Sequence, residues 1–87
     1  MIVSPNPARK SVLICFSAQG NSFGECSIYD ATGKLVTQLF VRKPIQNNLK
    51  ISWDLRDKNG GMVKPGVYFV QLKTETTQNC AKLVITE

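Results

Sequence analysis

Asp54 and Asp57 are the closest pair of carboxylates in this 87-residue chain, which contains no histidine. Without histidine, no catalytic triad or dyad that relies on an imidazole base can form. A glycosidase needs two carboxyl groups that face each other across a cleft at a set separation, whereas these two lie beside a turn. We therefore interpret both as turn formers that accept backbone N–H groups, and we predict that the chain is not an enzyme.

The same turn partly matches a calcium-binding loop. Residues Asp57-Lys58-Asn59-Gly60 match part of the pattern D-x-[DN]-x-[DN]-G. Leu55, however, occupies the first ligand position, and Gly66 occupies the position of the terminal bidentate glutamate. We predict no metal and no cofactor, and a weaker calcium site that uses the two aspartates and Asn59 stays open as an alternative.

Four aromatic residues could contact a ligand. Trp53 and Tyr68 would stack against sugar rings if they were exposed, but both fall on the apolar phase of alternating segments. Core packing is therefore favoured, with the indole N–H and the phenol O–H reaching hydrogen-bond partners at the edge of the domain. Tyr29 and Phe69 lie on the opposite phase and are better candidates for a contact surface.

The three cysteines, Cys15, Cys26 and Cys80, cannot all pair within one chain, and none belongs to a CxxC motif. A zinc site is also disfavoured, because the chain lacks the histidine that most often completes one. Each cysteine lies in a strand-like run, so we interpret them as small apolar core residues. A Cys26–Cys80 or a Cys15–Cys80 disulfide stays open.

The net charge of +5 favours acidic partners in general, but the basic residues are scattered and Arg9-Lys10 and Arg42-Lys43 are the only adjacent pairs. We predict no nucleic-acid partner. No apolar run approaches the roughly 20 residues that span a bilayer, so we expect no membrane-embedded segment. Residues 1–5 are too short for the apolar region of a signal peptide. The chain is thus either cytoplasmic or the tail of a longer exported protein.

Apolar residues alternate along the chain and do not recur at helical spacing. Short alternating runs separated by turn signals predict an all-β sandwich. Strands are predicted over 10–18, 22–30, 34–41, 49–53, 67–74 and 79–86, with 62–64 as a short extended rung. The connections include Gln19-Gly20-Asn21, Arg42-Lys43-Pro44, Asn47-Asn48 and a polar loop over 75–78.

The predicted core consists of the apolar-phase residues of these strands, whose burial at about 1.5–3 kcal/mol each opposes the entropy of the chain. They are Val12, Ile14, Phe16, Ile28, Leu35, Leu39, Leu49, Ile51, Trp53, Tyr68, Val70, Leu72, Leu83 and Ile85.

Turn signals divide the chain. In Asp30-Ala31-Thr32-Gly33, the carboxylate can accept backbone N–H groups and Gly33 supplies the left-handed position before Lys34. Asn59-Gly60-Gly61 and Pro65-Gly66 give two further reversals. Two prolines forbid a helix near the N-terminus. We predict an extended leading or linker segment over 1–8 and one sandwich domain over 9–87.

Five pieces of the sequence, in this order, resemble the C-terminal sorting domain of type IX secretion, a family closely similar to the immunoglobulin-like domain of the flagellar hook-capping protein. The pieces are Pro5-Asn6-Pro7, Ile28 to Val36, Trp53-Asp54-x-x-Asp57-x-x-Gly60, Gly66-Val67-Tyr68-Phe69 and Lys82-Leu83-Val84-Ile85. The resemblance covers essentially the whole chain. It implies an immunoglobulin-like β-sandwich of about seven antiparallel strands in two sheets.

The resemblance also implies a function. Such a domain is a non-catalytic signal at the C-terminus of an exported cargo protein, read by the type IX translocation machinery at the outer membrane and commonly removed by a sortase-like peptidase. The cargo reaches the cell surface or the medium. In the family, the glycine turn and the terminal strand are needed for export, and here they match Gly33-Lys34 and Lys82 to Ile85. We expect the last strand and the turn over 30–34 to form the recognition surface, because an edge strand offers unpaired backbone groups.

Three features depart from the family pattern. Leu55 stands where glycine is common, Glu87 ends the chain where a basic residue is frequent, and three cysteines are unusual in a domain that crosses an oxidising periplasm. The alternative function is a structural or binding β-sandwich module, either hook-cap-like in assembly or an accessory domain that contacts polysaccharide.

Overall fold

The computed structural model describes residues 1–17, 22–45 and 48–86. Within these residues the chain forms seven strands: β1 (Ile2–Ser4), β2 (Val12–Ser17), β3 (Ser22–Asp30), β4 (Leu35–Ile45), β5 (Asn48–Trp53), β6 (Gly66–Thr74) and β7 (Gln78–Ile85). They build a three-stranded sheet in the order β1-β2-β5 and a four-stranded sheet in the order β4-β3-β6-β7, with every pairing antiparallel. The predicted all-β sandwich is confirmed.

The core lies between the two sheets and follows the predicted alternation. In the three-stranded sheet, Val12 pairs with Trp53 and Phe16 pairs with Leu49, and all four side chains are buried. Most of the predicted core is buried, whereas Leu35, Leu39 and Ile51 are half-buried. Three buried core residues among those described were not predicted, namely Ala8, Ile45 and Leu55, whereas Cys26 is buried as its interpretation as a core residue expected.

Strand β4 is longer than predicted. Arg42-Lys43-Pro44 does not end it, because the strand continues to Ile45, which is fully buried. The register against β3 shifts between Gly24 and Cys26, and Arg42 adopts a φ of 47°, so the extra residue of a bulge is absorbed there. A proline is tolerated in such a strand because β4 is the edge of its sheet.

The leading segment over 1–8 contains ordered structure that connects both sheets. Strand β1 pairs with β2 through Val3 and Ile14, and Ala8 forms an isolated parallel bridge with Ile85. Ala8 is fully buried. These residues therefore pack with the sandwich, where a linker was expected. The sequence did not predict β1 because three residues ahead of two prolines show too little alternation.

Two predicted connections cannot be compared with the structure, since Gln19-Gly20-Asn21 and Asn47 lie outside the described residues, as does Glu87. Asn48, predicted to lie in a loop, is the first residue of β5. Among the residues that are described, no helix has the length and apolarity needed to cross a membrane.

Candidate recognition surface at one end of the four-stranded sheet

The turn that joins β3 to β4, residues 30–34, is built around the carboxylate of Asp30, and we call it the first aspartate turn. Its Oδ1 accepts hydrogen bonds from the Thr32 N–H at 2.9 Å, the Thr32 hydroxyl at 2.6 Å and the Lys34 N–H at 3.0 Å. The Gly33 N–H donates to the Asp30 carbonyl at 3.0 Å, and Gly33 has a φ of 87°. The turn thus has the predicted form, with glycine in the left-handed position.

These bonds favour the ionised carboxylate. The Thr32 hydroxyl and the Lys34 N–H hold the pKa of Asp30 below its ordinary value of 3.8. The charge on Asp30 is therefore part of what keeps the turn closed.

Residues 57–61 repeat the same construction and are called the second aspartate turn. Oδ1 of Asp57 accepts the N–H groups of Asn59 at 2.9 Å and Gly61 at 3.0 Å. The Gly60 N–H donates to the Asp57 carbonyl at 3.0 Å, and Gly60 has a φ of 86°. Asp57 is a turn former, as predicted. Asp54 is not, since its exposed carboxylate lies 3.8 Å from the Arg56 guanidinium instead.

The two aspartate turns lie side by side. The Lys58 N–H of the second turn donates to the Val36 carbonyl next to the first turn, at 3.1 Å. An open cleft of about 420 Å³ lies between them, and three lysines, Lys34, Lys58 and Lys64, are among the residues that line it. Tyr68 contributes to the same lining. Asp30, Gly33, Lys34, Asp57 and Gly60, five of the predicted site residues, therefore share one region.

Trp53 and Tyr68 support this region from the core. Both are buried, and their rings meet edge to face with centroids 6.4 Å apart. The Trp53 indole N–H donates to the Arg56 carbonyl at 2.9 Å, and the Tyr68 hydroxyl donates to the Lys64 carbonyl at 2.6 Å. The prediction of core packing with satisfied polar atoms is confirmed. Burial, and then the charge of Asp30, raise the pKa of Tyr68.

Leu55, the residue that departs from the family glycine, adopts a φ of 62° and is fully buried. A left-handed conformation costs a non-glycine residue about 1–2 kcal/mol. Burial of a leucine side chain contributes about 1.5–3 kcal/mol, which offsets that cost. The backbone here keeps a conformation that suits glycine, and the leucine adds a core contact. A positive φ at a buried leucine gives no signal in a sequence pattern.

A further group of contacts, separate from the aspartate turns, joins residues 6–8 to the end of β7. The side-chain amide of Asn6 donates to the Lys82 carbonyl at 3.0 Å and accepts the Val84 N–H at 3.0 Å. Beside it, the Ala8 N–H donates to the Val84 carbonyl and the Thr86 N–H donates to the Ala8 carbonyl, both at 2.8 Å. The Asn6 amide thereby replaces one residue of a neighbouring strand. We call these four bonds the Asn6 latch.

Asn6 lies between two prolines, and the Ser4-Pro5 and Asn6-Pro7 peptide bonds are both cis. In the sequence, Pro5-Asn6-Pro7 and Lys82 to Ile85 are separate motifs. The structure brings them into direct contact, which no local pattern could show.

The first aspartate turn and the Asn6 latch lie at the same end of the four-stranded sheet. Asp30 on β3 pairs with Tyr68 on β6, which pairs with Leu83 on β7, so one row crosses from the first aspartate turn to the terminal strand. Gly66, at the start of β6 with a φ of 153°, pairs with Ile85. In the order of the sheet, β6 lies between β3, which leads into the first aspartate turn, and β7, which carries the Asn6 latch.

The cysteines are free thiols in the described part of the chain: Cys26 is buried, Cys15 is half-buried and Cys80 is exposed. Burial raises the pKa of Cys26 to about 11, so this thiol stays protonated. The interpretation as core filler holds for Cys26 and fails for Cys80, which lies on the solvent-exposed phase of β7.

Within residues 1–17, 22–45 and 48–86, no group of three or more histidine, cysteine, aspartate or glutamate side chains is placed to hold a metal ion. The fold and this surface define a class of protein: a small β-sandwich module whose polar residues build turns and strand edges.

The chain belongs to the family of secretion-system C-terminal sorting domains, whose family model matches residues 3–86. It is a sorting signal of type IX secretion, and such domains mark proteins for export through the outer membrane to the cell surface. The family is non-catalytic.

Two solved structures are similar over nearly the whole chain. Dimeric latent PorU from Porphyromonas gingivalis is 26% identical with a TM-score of 0.75, and the match covers 98% of this chain and 9% of that one. PorZ, an essential surface component of the type IX secretion system of the same bacterium, is 26% identical with a TM-score of 0.70, over 99% of this chain and 11% of PorZ. The chain thus spans about a tenth of each. No curated protein matches the chain.

Proposed function

We propose that this chain acts as the terminal domain of an exported cargo protein and that the type IX machinery recognises the end of its four-stranded sheet. The recognition surface consists of the first aspartate turn and the terminal strand. The observation that carries this proposal is the register from Asp30 through Tyr68 to Leu83, because it places the first aspartate turn and the terminal strand at the same end of the sheet.

The remaining motif residues support that surface. Trp53 and Tyr68 pack beneath it, Asp57 and Gly60 close the turn beside it, and the Asn6 latch holds the terminal strand. The domain itself performs no catalysis, and it forms one sandwich domain that follows the cargo. A sortase-like peptidase then removes it at the outer membrane, as the family resemblance implies.

The test is export of a reporter protein fused ahead of this domain in a bacterium that carries the type IX system. Deletion of residues 82–87 removes the terminal strand end, the latch and the core residues Leu83 and Ile85, so we expect the reporter to stay inside the cell, and circular dichroism of the isolated variant shows whether the sandwich still folds. Thr76→Ala, in the β6–β7 hairpin at the opposite end of the sheet, is the control and should export normally. Undiminished export of the deletion variant would refute the proposal and favour a structural or binding module.

A further inference from the structure

The edges of the two sheets differ in how well they are protected. Edge strand β1 has three residues, and edge strand β4 carries Pro44, Arg42 at a positive φ and register shifts, which are devices that discourage pairing with another strand. Edge strand β5 is regular over six residues. Strand β7 is the longer regular edge, with eight residues, and it is the edge that carries the terminal motif.

The backbone groups of β7 point alternately toward β6 and away from it, as in any antiparallel pair. Asn6 and Ala8 form hydrogen bonds with the Val84 N–H, the Val84 C=O and the Lys82 C=O. The backbone N–H and C=O groups of the even-numbered residues of β7 therefore face away from β6. The backbone groups of Gln78 and Cys80 and the Lys82 N–H therefore face outward too. None of the described strands pairs with β7 on this side. We call Gln78–Lys82 the open edge.

We propose that the open edge is a β-addition site, which an extended segment of the type IX machinery joins as a further strand, and that the Asn6 latch sets where this added strand must stop. The inference rests on the proposed function and names the kind of partner that the terminal strand takes. Backbone hydrogen bonds supply the affinity in this mode of recognition, and alternate side chains supply the selectivity.

The side chains of the open edge suit this mode of binding. Gln78, Cys80 and Lys82 are exposed on the outer face of the sheet, and Lys73 is exposed on β6 directly opposite Gln78. Of the two lysines, Lys82 lies on β7 itself and complements an acidic residue on the adjacent added strand. Beyond Lys82 an added strand would collide with Asn6 and Ala8, which already occupy that position.

The test is a proline substitution that removes one outward N–H. Cys80→Pro deletes a donor that no β6 residue uses, and proline is tolerated in an edge strand when its missing N–H faces solvent. Cys80→Ser keeps the N–H and is the matched control. Because strand addition would lose a hydrogen bond and gain a clash, we expect Cys80→Pro to lower reporter export by about tenfold or more relative to Cys80→Ser, which carries a changed side chain but the same N–H.

Thermal denaturation of the isolated variants shows whether the sandwich still folds. Gln78→Pro with Gln78→Ser repeats the test at the first residue of the strand in case Cys80→Pro unfolds. If folded Cys80→Pro or folded Gln78→Pro exports as well as its serine control, β-addition at this edge is refuted. Arrested export of the 82–87 deletion together with normal export of both proline variants would refute the β-addition site alone and leave the proposed function intact.

The boundary of the open edge is tested separately by amide hydrogen exchange of the free domain. We expect slow exchange at Val84 and fast exchange at Cys80 and Lys82. Asn6→Ala should speed exchange at Val84 by about tenfold or more, since its N–H loses its acceptor, whereas Asn59→Ala should leave it unchanged. Protection of Cys80 in the free domain, or unaltered protection of Val84 in Asn6→Ala, would overturn the assignment of the edge.

Discussion

The two aspartate turns are local copies of one structure with different surroundings. In each, an aliphatic residue two positions before the aspartate is fully buried, the carboxylate accepts two backbone N–H groups, and a glycine three positions later has a φ near 87°. Ile28 precedes the first turn and Leu55 precedes the second. Ile28 lies within strand β3, whereas Leu55 has the positive φ.

The chain continues differently after each turn. Behind the first, Leu35 starts an 11-residue strand. Behind the second, no strand forms among the described residues before Pro65, and the chain is held by the isolated bridge from Arg56 to Met62 and by the bond from the Val63 N–H to the Leu55 carbonyl at 2.9 Å. The same turn chemistry thus closes a long hairpin or a short loop. The residues after the turn decide which of the two forms, because the turn itself constrains only five residues.

The largest expected effect tests the buried aliphatic residues. Leu55→Ala and Ile28→Ala should each lower the free energy of unfolding by about 2–5 kcal/mol, since both side chains leave a cavity. Comparing glycine with alanine at each position tests the backbone conformation more directly. Leu55→Gly should be more stable than Leu55→Ala by about 1 kcal/mol, because glycine adopts the left-handed conformation freely. Ile28→Gly should be less stable than Ile28→Ala by about 0.5–1 kcal/mol. Urea denaturation measures all four, and the same order at both positions would contradict the assigned strain.

A smaller effect is expected at the turn glycines. Gly33→Ala and Gly60→Ala should each lower the free energy of unfolding by about 1–2 kcal/mol, although the space beside both glycines is open, because the positive φ strains any side chain. Gly61→Ala is the matched control. Its β-carbon would meet the Asp57 carboxylate at an ordinary 3.6 Å, so we expect a change within about 0.5 kcal/mol. Unequal losses at Gly33 and Gly60 would show that the turns are not energetically equivalent.

Removal of the two carboxylates separates the turns further. Asp30 accepts three hydrogen bonds and Asp57 accepts two, since only the first turn has a threonine hydroxyl in reach. We expect Asp30→Ala to lower the melting temperature more than Asp57→Ala does. Thr32→Val removes the additional bond and should bring the two aspartate substitutions closer together. If Asp30→Ala and Asp57→Ala lowered the melting temperature equally with Thr32 in place, the Thr32 hydroxyl bond would not contribute to stability.

The smallest effect concerns pH. Because the pKa of Asp30 is lowered in the folded protein, its contribution to stability is fully present above the pKa of the unfolded chain. It is lost as pH falls through the folded-state pKa, which lies below 3.8. Asp30→Asn keeps an oxygen acceptor but does not titrate. The drop in melting temperature between pH 7 and pH 3 should therefore be smaller in this variant than in the wild-type domain, and an identical drop would argue against the lowered pKa.

Much of the fold could be predicted because its signals are local. Alternation located β3 at its observed bounds, and the glycine turns located the hairpins. The predicted end of β4 was wrong because one extra residue shifts the register of β4 against β3. The shift between Gly24 and Cys26 carries β4 past Pro44, and the Ile45 side chain fills the space that a side chain at Gly24 would need.

The candidate surface was predictable only in pieces. An aspartate three residues before a glycine is the pattern that predicts each turn, so both turns could be predicted from the sequence. The contact between Asn6 and the terminal strand could not, because a side-chain amide makes it across 76 and 78 positions of the chain. The position of Leu55 was noticed as a departure, but its conformation depends on the packing around it.

The Asn6 latch also has a mechanical consequence. Residues 6–8 run parallel to the end of β7, as the bridge between Ala8 and Ile85 shows. A force that pulls Met1 and Thr86 apart therefore acts along the strands and stretches the hydrogen bonds of the latch together rather than one at a time. A cargo that pulls on the N-terminus of this domain would therefore load the latch in shear, just after strand β1.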